Sequence, residues 1–273
     1  MTALKVIPVA AILLGLVVLV SCNDSDEDEK RARRPTGTAQ TASQKPEEKP
    51  DADEGEEGEE GPATPAAVAV DKPAPQQTVG KQFTYTFDSD TAGQLPAKFH
   101  GAKTGGGAQE KWAVTADPAA PSKPNVVAQT STDQTDYRFP LLISDEGSFQ
   151  DLDVSVRFKA VSGNIDRAGG LVFRLKDPNN YYIVRANALE NNYRLYRVVN
   201  GRRSQFAGAN LKVTSGEWHE LRVEAVGNKF TCYYDGNKKI EATDDTFKSA
   251  GKIGLWTKAD SVTYFDDLRV TAR

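Results

Sequence analysis

Cysteine, methionine and histidine are nearly missing from this 273-residue chain, which holds two Cys, one Met and two His. Two cysteines, Cys22 and Cys232, are too few for the multi-bridge framework of a small secreted scaffold. Cys232 alternates in phase with Phe230 and Tyr234, so it reads as a small buried hydrophobe and not as a catalytic thiol. The chain has no Cys/His spacing of the zinc kind and no phosphate-binding glycine loop leading into a helix; Gly105-Gly106-Gly107 reads as a loop. It also lacks an aromatic-basic nucleic-acid motif, so nucleic acid is not an expected partner. Aromatics are missing regionally: no Phe, Tyr or Trp precedes Phe83. Residues 23–80 are rich in Pro, Ala, Thr and Glu and have too little apolar surface to offset the entropy of ordering. They are predicted to be disordered. This stretch has 15 acidic against 7 basic side chains, whereas residues 81–273 have 26 basic against 23 acidic. The low isoelectric point therefore belongs to the tether, whose self-repulsion extends it.

Only one long apolar run is present, Val6 to Val20, just after Lys5. As a helix it spans about 22 Å, short of the roughly 30 Å hydrocarbon core, so an export-signal core fits better than a spanning helix. The run closes on Leu19-Val20-Ser21-Cys22, which resembles the lipobox of bacterial lipoproteins. That resemblance implies cleavage before Cys22, lipidation of its thiol, and export to a membrane of the cell envelope. The alternative is an export signal that is uncleaved or conventionally cleaved. The expected organisation is a signal peptide (1–21), a lipidated Cys22 heading a disordered linker (22–80), and one folded domain (81–273). The acidic residues Asp24 to Glu29 resemble the surface-export signals of some lipoproteins, although a solvated linker accounts for them equally.

The folded part reads as β structure. Turn signals recur at Asp177-Pro178-Asn179-Asn180, Asn200-Gly201 and Asp235-Gly236-Asn237, with strand-length segments between them. Leu152, Val154, Val156 and Phe158 form an apolar row opposite Asp153, Ser155, Arg157 and Lys159. Leu221, Val223 and Ala225 repeat the pattern, as do Ile253, Leu255 and Thr257. No long amphipathic helix is sustained beyond the signal segment. An antiparallel sandwich or jelly roll follows, with its first strand (83–87) and last strand (262–270) close together.

The segments AGGLVFR (168–174), NNYYIVRANALENN (179–192), GEWHELRVEAVGNKFTCYYDG (216–236) and AGKIGLWTKADSVTYFDDLRV (250–270) resemble the concanavalin A-like lectin/glucanase superfamily. More narrowly, they resemble its laminin-G-like and 3-keto-disaccharide hydrolase members. The resemblance covers essentially all of 81–273. It implies an all-β, concanavalin A-like antiparallel sandwich, and a carbohydrate-related role without fixing an activity.

A retaining glucanase on this fold needs two glutamates flanking an aspartate on one strand, and no such spacing occurs. Asp244-Asp245 and Glu190 fall in turn-like segments. Opening a 3-keto glycoside needs a base and a group to stabilise an enolate. His100 falls in a loop and His219 at a strand start after Trp218, where a packing role is expected, so no catalytic residue is assigned. Strand alternation suggests a binding face instead. If Leu171, Phe173 and Leu175, then Tyr182, Val184 and Ala186, then Ile253, Leu255 and Thr257 face the core, an outward set results. That set is Arg174, Arg185, Asn187, Trp256 and Lys258, an aromatic platform among fork-like donors suited to a glycan. The alternative is that Trp256 covers the core edge and the cations form a solvated face. Asp266 is in phase with Val262, Tyr264, Leu268 and Val270, and a buried carboxylate must be paired, coordinated or protonated. With Asp88 it makes a candidate pair for a structural Ca²⁺; a salt bridge or backbone hydrogen bonds would serve Asp266 as well. The expectation is thus an anchored carbohydrate-binding domain, with a 3-keto glycoside enzyme as the first alternative and a protein-interaction module as the second.

Overall fold

The computed structural model describes residues 80–273. The signal segment, Cys22 and the linker up to Val79 lie outside the described residues. In chain order the strands are β1 (Gln82–Tyr85), β2 (Phe99–Gly105), β3 (Trp112–Ala116), β4 (Asn125–Gln129) and β5 (Arg138–Ser144). There follow β6 (Leu152–Ser162), β7 (Ala168–Asp177), β8 (Asn180–Asn187), β9 (Asn192–Val199) and β10 (Arg202–Asn210). The last are β11 (His219–Val226), β12 (Lys229–Tyr234), β13 (Asn237–Thr243), β14 (Lys252–Trp256) and β15 (Val262–Ala272). No helix occurs among the described residues.

One sheet runs β13-β12-β11-β6-β15-β4-β3, with β1 also on β15; the other runs β10-β9-β8-β7-β14-β5-β2. Every named pairing is antiparallel, and the first and last strands pair directly through Gln82↔Thr271 and Phe83↔Val270. The two sheets share a core. Val154, Val156 and Phe158 on β6 and Val223 and Ala225 on β11 pack with Leu171 and Phe173 on β7, Tyr182 and Val184 on β8, and Ile253 and Leu255 on β14. On β6 the buried and half-buried residues alternate through Leu152–Phe158 as the period of two demands. Cys232 is fully buried among them, and burial pushes its thiol pKa well above the ordinary range.

Of several register shifts in the two sheets, two matter most for the site. Arg174 and Asp267 adopt the left-handed backbone conformation (φ 49° and 50°), and the pairing register shifts at both places. A bulge adds one residue and swaps the faces beyond it. After Arg174, Leu175 therefore leaves the shared core and joins a cluster on the sheet's opposite face. After Asp267, Leu268 and Val270 return to the shared core, whereas Tyr264 and Asp266 lie on the row opposite Phe265. The expected phase of Asp266 with Leu268 and Val270 is thus corrected.

The opposite face of the β10–β2 sheet is not an open surface. It carries a second buried cluster, including Phe139, Leu141, Ile143, Val172, Ile183, Tyr196 and Trp256. Strand twist brings two diagonal corners of this sheet together on that face. The Thr104 hydroxyl on β2 meets the buried Tyr181 hydroxyl on β8 at 2.9 Å. Tyr137, just before β5, donates its hydroxyl to Gly201 O at 2.8 Å and accepts from Arg203 N at 2.9 Å.

Candidate functional site

Of the five residues expected to form a binding face, two contact one buried carboxylate and a third, Arg185, stands near enough to act on its charge. Arg185 and Asn187 project from the end of β8, and Lys258 follows β14. Between them stands Asp166, 1% exposed, in the loop between β6 and β7. Asn187 Nδ2 donates to Asp166 Oδ1 at 3.1 Å, and Lys258 Nζ lies 3.4 Å from Oδ2. The buried Arg185 guanidinium donates through Nη1 to Asn192 Oδ1 (2.9 Å) and through Nη2 to Glu190 Oε2 (2.8 Å) and Tyr196 Oη (3.0 Å). Its Nε has no acceptor among the described residues. Lys258 Nζ also donates to Asp136 Oδ1 at 2.6 Å. The cluster opens to solvent through Glu190 and Asp136, whose side chains are 47% and 72% exposed.

Local chemistry holds each member in place. Asp260 accepts from three consecutive backbone N–H groups, those of Asn164 (2.7 Å), Ile165 (3.1 Å) and Asp166 (3.0 Å), and so curls the loop that presents Asp166. Gly163 starts that loop at φ 138°, where a Cβ would stand 1.9 Å from Asp166 O. On the other side Asn187 Oδ1 accepts from Leu189 N (2.8 Å) and Glu190 N (3.1 Å), an Asx turn that fixes Glu190. Gly170 leaves room beside Arg185, since a Cβ there would come within 3.2 Å of the Arg185 Cβ.

The electrostatics separate the two acids nearest Arg185. Burial raises the Asp166 pKa, and the attraction of Arg185 and Lys258 offsets this only in part. Burial also acts on Glu190, but its bonds from Arg185 and Asn192 outweigh it and leave its pKa lowered. At neutral pH the cluster offers oxygen acceptors and guanidinium and ammonium donors side by side, suited to the hydroxyl pairs of a sugar.

Trp256 and Arg174 depart from expectation. Trp256 is 0% exposed: its ring stacks on Phe139 at 5.3 Å, and the Arg203 guanidinium lies 5.6 Å over it. It is buried in the second apolar cluster with Phe139 and Tyr196 and is not an exposed platform. Arg174, turned by its bulge, points to one end of the sandwich and donates to Gln150 O, Phe247 O and Gly227 O. There it lines a separate recess of about 230 Å³ with Asp244, Asp245 and Lys248.

The histidines stay out of the cluster. His219 stacks on Tyr234 (5.1 Å) and meets Asp235 Oδ2 at 2.8 Å, while His100 meets Asp145 Oδ1 at 2.5 Å at an exposed position. Asp266 accepts from Ser122 N (2.8 Å), Ser122 Oγ (2.7 Å) and Asp267 N (2.7 Å), which supports the buried carboxylate without a cation. Asp88 Oδ1 accepts from Asn125 N at 3.1 Å. Each carboxylate thus has its own donors, Asp266 in the β3–β4 connection and Asp88 at the start of β4. Among the described residues, no three of His, Cys, Asp or Glu gather as metal ligands. Sequence reasoning missed Asp166, Glu190, Asn192, Asp136 and Tyr196. Asp166 and Glu190 sit in loops without periodicity; Asp166 lies just before the AGG segment and Glu190 within ANALENN, which reads as a turn.

The model of the 3-keto-alpha-glucoside-1,2-lyase-like domain matches residues 83–271, a span that takes in both sheets and the whole cluster. The chain belongs to this family. A segment of 116 residues is 31% identical to the levanase of Bacillus subtilis, covering 42% of this chain and 17% of the levanase. The chain therefore matches less than a fifth of that relative's length. Among solved structures, the carbohydrate-binding module CBM66 from Bacillus subtilis aligns with a TM-score of 0.49 and 24% identity, over 58% of this chain and 94% of the module. Domain 4 of AbnA, an extracellular arabinanase from Geobacillus stearothermophilus solved with arabinotriose, aligns with a TM-score of 0.46 and 17% identity, over 68% of this chain and 89% of that domain.

Proposed function

We propose that this domain binds carbohydrate at the Asp166 cluster, and that a lipid on Cys22 holds it at a membrane of the cell envelope. The observation that carries the binding reading is a buried carboxylate, Asp166, met by Asn187 and Lys258, beside a buried Arg185 whose Nε has no acceptor among the described residues, with two acids reaching solvent. Buried charges are costly unless paired, and here the partners Glu190 and Asp136 carry the network out to solvent. The family match and the likeness to a levanase segment support a saccharide ligand, and levan is the first polysaccharide to test. Affinity electrophoresis of the full chain in levan-containing gels should retard the wild type and not Asp166→Asn. Equal mobility of the two would reject the reading.

Family membership also favours a second reading, chemistry on a 3-keto glycoside. The ketone acidifies the C2 proton; a base removes it while the C1–O bond breaks and the leaving oxygen takes up a proton. In the cluster, Asp166 is the carboxylate whose pKa is moved toward neutrality, so it is the candidate base. Incubation with a 3-keto disaccharide distinguishes the readings: release of the leaving sugar by the wild type, abolished by Asp166→Asn, marks an enzyme.

A further inference from the structure

Two of the six exposed large apolar side chains among the described residues lie beside the cluster. Ile165 and Leu189 are 45% and 42% exposed, and each is adjacent in sequence to a cluster residue, Asp166 and Glu190. The two loop tips are also tied to each other, since Ala188 N donates to Arg167 O at 2.9 Å and Asn187 donates to Asp166. Neither tip is loose. Ile165 N is held by Asp260 and Leu189 N by Asn187 Oδ1. The backbone therefore presents two fixed apolar side chains to water, beside the polar and charged groups of the cluster.

Resting on the carbohydrate reading, we propose that Ile165 and Leu189 form an apolar lip that receives the C–H face of the sugar adjoining the one held by the polar cluster. A sugar ring has hydroxyl edges and apolar C–H faces. The cluster supplies partners only for the edges, and a saccharide longer than one unit must leave the cluster past its mouth. Burying the lip against a ring face removes apolar area from water on both partners. The consequence is selection by length: a single sugar gains only the polar contacts, and an oligosaccharide gains the lip as well.

The test titrates the full chain with fructose and with a levan trisaccharide, comparing wild type, Leu189→Ser and the Ile165→Ser/Leu189→Ser pair. Both side chains are substantially exposed, so the fold should survive; melting curves check this, and the single variant serves if the pair melts early. The expected result is a loss of about tenfold in trisaccharide affinity for the pair, with fructose affinity within about twofold of wild type. Unchanged trisaccharide affinity would overturn the lip while leaving the carbohydrate reading intact, and would turn attention to a protein contact at these residues. Equal losses for both probes would assign the residues to holding the cluster. A wild type that binds neither sugar would overturn the carbohydrate reading and the lip with it.

Discussion

At the scale of single residues, Asp166 and Trp256 should behave in opposite ways. Burial raises the Asp166 pKa, so its ionised form is the less stable partner of the fold even with Arg185 and Lys258 beside it. Asp166→Asn is expected to keep or raise the melting temperature while removing an acceptor and lowering ligand affinity by at least about tenfold, as loss of a charged hydrogen bond does. Wild-type affinity should be level at neutral pH and fall on acidification, starting above the ordinary Asp value of about 3.9, because protonation removes the same acceptor. Titrations between pH 4 and 8 check this. Trp256→Ala should cost about 3–5 kcal/mol of stability, as large aromatic deletions in cores do, measurable by denaturant unfolding. Alternation on β14 correctly turns Trp256 away from the shared core. It cannot show that distant corners of the sheet fold over that face, because Thr104–Tyr181 and Tyr137–Gly201 join residues far apart in sequence.

At the scale of elements, the strands were legible wherever a period of two ran unbroken, as in β6, β11 and β12; that β7, β8 and β14 share one sheet was an assumption, since alternation gives the faces of a strand and not its neighbours. Legibility failed at bulges, those at Arg174 and Asp267 above all. Arg174 is not a residue type that favours a left-handed conformation, and Asp267, though of a type that visits it, lies inside a strand-like run; each shifts the phase of everything after it. The β6–β7 loop is the element on which the site depends most. Burial raises the Asp260 pKa, but the N–H bonds from Asn164, Asp166 and Ile165 lower it further, leaving a net decrease. Its stabilising contribution is therefore present above the unfolded value near about 3.9 and is lost as pH falls through the lower folded value. Asp260→Asn should flatten the acid limb of the stability curve. Gly163→Ala, which drives a Cβ into Asp166 O, should weaken ligand binding by misplacing Asp166, with a stability cost above about 1 kcal/mol. Calorimetry at pH 3 and 7 reads both effects.

At the scale of the whole molecule, the aromatic-free, acidic segment and the mildly basic β domain have separate roles in the proposal: one sets reach from a membrane, the other grips a saccharide. If the anchor is a lipid, Cys22→Ser should abolish incorporation of labelled fatty acid and release the chain from the membrane fraction, with sugar affinity unchanged. The most direct test of the central claim is isothermal titration of the full chain with levan oligosaccharides, with Asp166→Asn and Glu190→Gln measured beside the wild type. The account predicts saturable binding by the wild type and a loss of about tenfold or more in each variant, with both variants folded. Wild-type binding that both variants retain in full would contradict it, as would no binding by the wild type to any saccharide tried.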